Sequence, residues 1–60
     1  MRNRAGYQRD VALAAEWITG DYDVDRHVEN AAEAIAADYG VSIDTATTAI
    51  IRAIAARDAR

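Results

Sequence analysis

The stretch "AIAADYGVSIDTATTAI", residues 34–50, decides the fold of this 60-residue chain. It opens with alanine, the strongest helix former. Gly40 then suits the left-handed backbone that commonly follows a helix end. Ser42 is a favoured N-cap, and Asp44 falls in a first turn, where negative charge is stabilising. The stretch therefore predicts a helix, a tight turn and a second helix.

Hydrophobic spacing extends this pattern to three helices, at about 7–19, 25–39 and 43–58. Gly6, Gly20 and Gly40 lie at the predicted breaks, and Asp23 is the predicted N-cap of the second helix. No strand pattern is present, so we expect an all-α, compact three-helix domain. The predicted core faces are Tyr7, Val11, Ala14 and Ile18, then Val24, Val28, Ala31, Ala32, Ile35 and Tyr39, then Ile43, Ala46, Ile50, Ala53 and Ile54.

Length and composition predict one domain, 1–60, with residues 1–6 as a flexible basic arm. Alanine supplies much of the 52% hydrophobic content and buries little area, so we expect a small free energy of unfolding. A homodimer through Ala/Ile faces would add to it. Neither a signal sequence nor a membrane span is evident, so we expect a cytoplasmic protein without membrane partners. The net charge of −3 counts against nucleic acid.

Residues 33–50 resemble the helix-turn-helix of bacterial repressors, through the pattern "AxxYGVSxxTA" that starts at Ala36. The resemblance implies a helix-turn-helix-like corner between helices 2 and 3, with helix 3 in the major groove of DNA. The implied DNA contacts on and before helix 3 are Ser42, Asp44, Thr47, Thr48 and Arg52. Arg2 and Arg4 of the arm would add phosphate contacts, unless that arm is only a solvated terminus.

A second resemblance involves Trp17, Gly20 and the segment "DVDRHVENAAEAIAADYGVS", with the spacing of the apolar residues of helix 3. These look like the helical half of the peptide-recognition elements of pyrroloquinoline-quinone biosynthesis, which bind precursor peptides. The strand-rich half of that family has no counterpart before helix 1. The resemblance therefore implies only a helical corner used for protein contact.

Catalytic and metal-binding patterns are weak. "DYDVD", residues 21–25, has the opening spacing of a calcium loop, but Arg26 and Ala32 stand where that loop needs Gly and Glu. His27 is the single His, there is no Cys, and zinc needs three or four ligands. We expect no enzyme activity, no cofactor and no small-molecule substrate.

Two apolar side chains are predicted interface residues. Ile51 lies about 100° around the third helix from Ile50, so it either extends the core stripe or forms a contact with another chain. Trp17, with Tyr22, fits either a binding platform or the core and rim of the bundle. We favour the core and rim, because few other large residues are available to fill the bundle. Two functions follow: a small DNA-binding protein such as a regulator, or a protein-interaction module acting as adaptor or inhibitor. The turn favours the first and the charge favours the second.

Overall fold

The computed structural model describes residues 4–18 and 23–59, which form three α-helices. These are α1 (Arg4–Trp17), α2 (Val24–Tyr39) and α3 (Ile43–Asp58). The predicted all-α three-helix fold is confirmed, and the described segments contain no strand. The bounds of α3 match the prediction, and α2 starts one residue earlier than predicted.

The start of α1 differs from the prediction. It begins at Arg4, so residues 4–6 of the predicted flexible arm are helical, and Gly6 is inside the helix instead of at a break. The reason is a close approach between helices. A Cβ placed on Gly6 would lie 3.0 Å from the Tyr39 hydroxyl oxygen, so the missing side chain lets the first turn of α1 pack against α2. Residues 1–3 and the predicted break at Gly20 lie outside the described residues.

The helices run up, down and up. At one end of the bundle the Tyr39 hydroxyl of α2 donates a hydrogen bond to Asp10 of α1. The Tyr7 and Tyr39 rings meet there edge to face, with centroids 5.4 Å apart. At the other end Arg57 of α3 donates to the carbonyl of Ile18, just after α1, at 2.6 Å. The last turns of α1 and α3 are therefore neighbours, and α2 runs antiparallel to both.

The core follows the predicted faces except at Ile43, the first residue of α3, which was predicted to be part of the core face and is 50% exposed. Ile50 is fully buried, and Ala32 of α2 and Ala46 of α3 have no exposed surface, which brings those two helices close together. The interpretation of Trp17 as a core residue is wrong, because its side chain is 83% exposed. Trp17 lies six residues from buried Val11, which is about 240° around the helix at 3.6 residues per turn. The buried cluster comprises Val11, Ile18, Val28, Ala32, Ile35, Tyr39, Ala46 and Ile50.

The turn between α2 and α3 has the predicted conformation. Gly40 is left-handed, with φ 68° and ψ 28°, and its N–H bonds to the carbonyl of Ala36 at 2.9 Å. The Ser42 hydroxyl oxygen accepts from the backbone N–H of Thr45 at 3.0 Å, which caps α3. Both roles were readable from residue type alone.

The start of α2 follows its prediction only in part. Asp23 is left-handed, with φ 54°, and its side chain makes no capping hydrogen bond. N-cap residues normally take a β-region backbone, which aims the side chain at the free N–H groups of the first turn. Asp23 occupies the predicted N-cap position, and its carbonyl accepts from the His27 N–H at 3.0 Å, but the left-handed backbone removes the side-chain alignment that a capping hydrogen bond needs.

Candidate interaction surface

The predicted DNA-contact residues of α3 lie on two adjoining flanks of the helix, since Asp44 and Thr47 are only three residues apart. Asp44, Thr48 and Arg52 recur every fourth residue and line a shallow recess on the side of α3 that faces α1. Thr47 lies on the adjoining flank, toward α2. Ser42 is exposed, but its hydroxyl oxygen is engaged in capping α3. Among the predicted DNA contacts of α3, which the structure describes in full, Arg52 is the only basic residue. It shares its recess with the carboxylate of Asp44.

The predicted DNA contacts of the basic N-terminal arm are only partly within the described residues. Arg2 lies outside the described residues, and Arg4 is the first residue of α1. Tyr22, the predicted neighbour of Trp17, also falls outside them, as does Asp21 of the calcium-like stretch. Within residues 4–18 and 23–59, no three potential ligands come together as a metal site would require.

A groove lies between α2 and α3. It has a volume of about 560 Å³ and an apolar floor with two carboxylates at its rim. Its lining residues are Val24, Asp25, Val28, Glu29, Thr47, Ile51 and Ile54. The groove exists because both helices run side by side away from the Gly40 turn.

The geometry of this groove shows how closely α2 and α3 pack. At about 1.5 Å per residue, Val24 and Ile54 lie roughly 24 and 21 Å from Gly40 along their helices. A right-angled corner would hold them roughly 30 Å apart. They instead line one groove, so α2 and α3 fold back on each other as a helical hairpin.

Exposed aliphatic side chains continue the groove along α3. Ile51 is 53% exposed and Ile43 is 50% exposed, whereas the neighbouring Ile50 is fully buried. Ile51 is therefore not a core residue, which answers the question that its position in the sequence left open. We define the groove face as Ile43, Thr47, Ile51 and Ile54 of α3 with Val24 and Val28 of α2.

A second apolar pair lies on α1. Leu13 is 50% exposed and Trp17, four residues later, is 83% exposed. The two predicted interface residues, Trp17 and Ile51, thus belong to different helices. Ile51 borders a formed groove, whereas Trp17 projects from the outer side of α1.

Sequence reasoning missed two tertiary contacts of polar side chains. Arg57 donates to the carbonyls of Ala15 and Ile18, which satisfies carbonyl groups that α1 leaves free at its end. Its positive charge is also favourable at a helix C-terminus. Nothing in the sequence spacing indicated a contact between Arg57 and α1. The Tyr39–Asp10 hydrogen bond could not be predicted from the sequence either, because it joins residues 29 positions apart.

No protein-family model matches this chain, and no curated protein or solved structure matches it either. The helices of its described part include none long and apolar enough to cross a membrane.

Proposed function

We propose that this chain is a non-enzymatic protein-interaction module that binds a protein partner through the groove face. The observation that carries the proposal is the pairing of a formed apolar groove with exposed Ile43 and Ile51 beside it. Isolated exposed apolar residues are normal on a protein surface. A contiguous apolar recess bordered by charged residues is typical of a protein-binding site.

The hairpin packing of α2 and α3 supports this function over DNA reading. A recognition helix enters the major groove when it projects from a wide corner. Here α3 lies along α2, and its flank toward α2 is the apolar groove face. Its flank toward α1 carries Asp44 with Arg52, which gives weak attraction for phosphate.

The experiment compares binding partners retained by three versions of the full chain. Ile51→Gln removes an aliphatic side chain from the groove face, and Ala34→Gln is the matched control, an exposed helical position of α2. Proteins held by the wild type and by Ala34→Gln should be lost with Ile51→Gln, while circular dichroism shows all three folded. Equal retention by Ile51→Gln would remove the groove face as the binding surface. Trp17→Gln, measured in parallel, tests the other predicted interface residue.

DNA binding is the second candidate, and the geometry of the turn favours it. Gly40 and Ser42 have the conformations that the helix-turn-helix resemblance implies, and Ser42, Asp44, Thr48 and Arg52 are exposed. This function requires cosedimentation with mixed-sequence duplex DNA at about 50 mM salt that weakens sharply by about 200 mM. Arg52→Ala should then flatten the salt dependence. Absence of cosedimentation at the lower salt concentration rejects this candidate, and the DNA-free runs report whether the chain forms the predicted homodimer.

A further inference from the structure

The two charged residues that line the groove, Asp25 and Glu29, have the same sign. Asp25 and Glu29 lie at its rim on α2, and Glu33 follows at the same four-residue spacing. Four residues advance a helix by about one turn, so these three carboxylates form a stripe along one side of α2. We define them as the acidic stripe. Each of the three residues is exposed.

The acidic stripe is not neutralised within the fold. None of its three carboxylates has an ion pair in the part of the chain that the structure describes. Arg26 lies three residues before Glu29 and could reach it, yet the two side chains form no ion pair there. Like charges at this spacing destabilise a helix. The fold therefore keeps an unfavourable arrangement of charge directly beside its apolar groove.

The face opposite the acidic stripe is apolar and uncharged. Ile43, Thr47, Ile51 and Ile54 are spaced by four, four and three residues, so they form a row on the flank of α3 that faces α2. No basic residue is among the groove-lining residues of the described chain. A partner must therefore supply aliphatic side chains for the groove and positive charge for its rim.

We infer that the groove face binds a basic amphipathic α-helix of another protein. Helices that dock in a groove present aliphatic anchors at positions i, i+3 or i+4, and i+7. The partner helix would place such anchors between α2 and α3 and a row of Arg or Lys against the acidic stripe. This inference rests on the proposed function, and it adds the chemistry of the partner to it.

A second copy of the chain fits this face less well. Its exposed apolar pair, Leu13 and Trp17, lies on α1 with Arg9 and Glu16 beside it, which gives no net positive charge. Arg9 already lies 3.8 Å from the Asp10 carboxylate. Charge complementarity therefore favours a separate, basic partner over self-association through this face.

The test uses two designed helical peptides and the full-length protein. Both peptides carry Leu at i, i+3, i+4 and i+7. One has Arg along a flanking edge, and its twin has Glu at the same positions. Fluorescence anisotropy of labelled peptide gives the dissociation constant at about 50 mM and 200 mM salt, a range over which surface charge is increasingly screened. The Arg peptide should bind about tenfold more tightly than its twin at the lower salt concentration, and the difference should shrink at the higher.

Two charge variants separate local from general electrostatics. Glu29→Arg reverses a charge within the acidic stripe, and Asp38→Arg makes the same change of net charge at an exposed position on the other flank of α2. Glu29→Arg should weaken binding of the Arg peptide about fivefold or more, whereas Asp38→Arg should change it less than about twofold, because screening limits distant charges. Equal effects of the two variants would overturn the inference.

The remaining outcomes keep the two proposals apart. Equal binding of both peptides, lost in Ile51→Gln, would overturn the basic partner while leaving the groove face as a protein-binding surface. Failure of the Arg peptide to bind also overturns the inference. Concentration-dependent sedimentation that is lost in Ile51→Gln would identify a second copy as the occupant and would likewise reject the basic partner. Loss of Arg-peptide binding in Ile51→Gln, together with the effect of Glu29→Arg, supports both proposals.

Discussion

The two adjacent isoleucines of α3 give the sharpest test of how the helix is oriented. Ile50 is fully buried and Ile51 is 53% exposed. Ile50→Val removes one buried CH2 group, which is expected to lower the free energy of unfolding by about 1 kcal/mol. The same substitution at Ile51 removes a group that is about half in water and leaves no cavity, so we expect less than about 0.5 kcal/mol. Both substitutions replace one β-branched residue by another, so helix propensity is nearly constant.

Alanine enlarges the difference between the two positions. Ile50→Ala should cost about 2–5 kcal/mol, which equals most of the stability that a domain of this size can have. It should therefore be largely unfolded at 25 °C. Ile51→Ala should remain folded with a small change, since it also gains helix propensity.

Thermal unfolding followed by circular dichroism at 222 nm measures these effects. One kcal/mol corresponds to roughly 4–8 °C in Tm for a domain of about 60–100 residues. Ile50→Val should thus lose about that much, and Ile51→Val about half or less. The scans are repeated at two protein concentrations, because self-association would make Tm concentration-dependent. Comparable losses at positions 50 and 51 would refute the assignment of the groove face to this side of α3.

Three further substitutions test the contacts that hold the helices in place. Gly40→Ala should lower the free energy of unfolding by about 1–2 kcal/mol, because a side chain is disfavoured at φ 68°; an unchanged urea midpoint would show that the turn tolerates another backbone. Arg57→Ala should cost about 1–2 kcal/mol by leaving the carbonyls of Ala15 and Ile18 without their donor, and Arg57→Lys should recover part of it; equal losses for Ala and Lys would argue against a role for the positive charge. Tyr39→Phe should cost about 1 kcal/mol through the lost hydrogen bond to Asp10. In an Asp10→Ala background, which has no acceptor, the cost should shrink, whereas strict additivity in that double-mutant cycle would contradict the contact.

The sequence predicted local structure better than tertiary contacts. The end of α2 and the start of α3 were readable because Gly40 and Ser42 act through their own backbone and neighbouring N–H groups. The start of α1 was not, since the helical state of Gly6 depends on its contact with Tyr39, which is distant in sequence. Asp23 lies at the predicted N-cap position without a side-chain capping bond, because residue type indicates a preference and cannot specify the backbone angle.

The candidate surface was predictable only in part. The spacing of Asp25, Glu29 and Glu33 is visible in the sequence, and so is the position of Ile51 beside the core stripe. Their meeting at one groove depends on the packing of α2 along α3, which helical periodicity does not determine. The same packing turns Thr47 toward the groove with α2, whereas Asp44, Thr48 and Arg52 line a recess toward α1.

Thr47 offers the most direct test of the proposed function, because it lines the groove and was also a predicted DNA contact. The chain has no Cys, so Thr47→Cys introduces a unique site for a photoactivated cross-linker, and Ala34→Cys provides a control on the outer side of α2. Both labelled proteins are irradiated in extract of the native cells. Our account predicts a discrete adduct at position 47, absent at position 34, whose size nuclease leaves unchanged. A nuclease-sensitive adduct at position 47, or the same adducts at both positions, would contradict it.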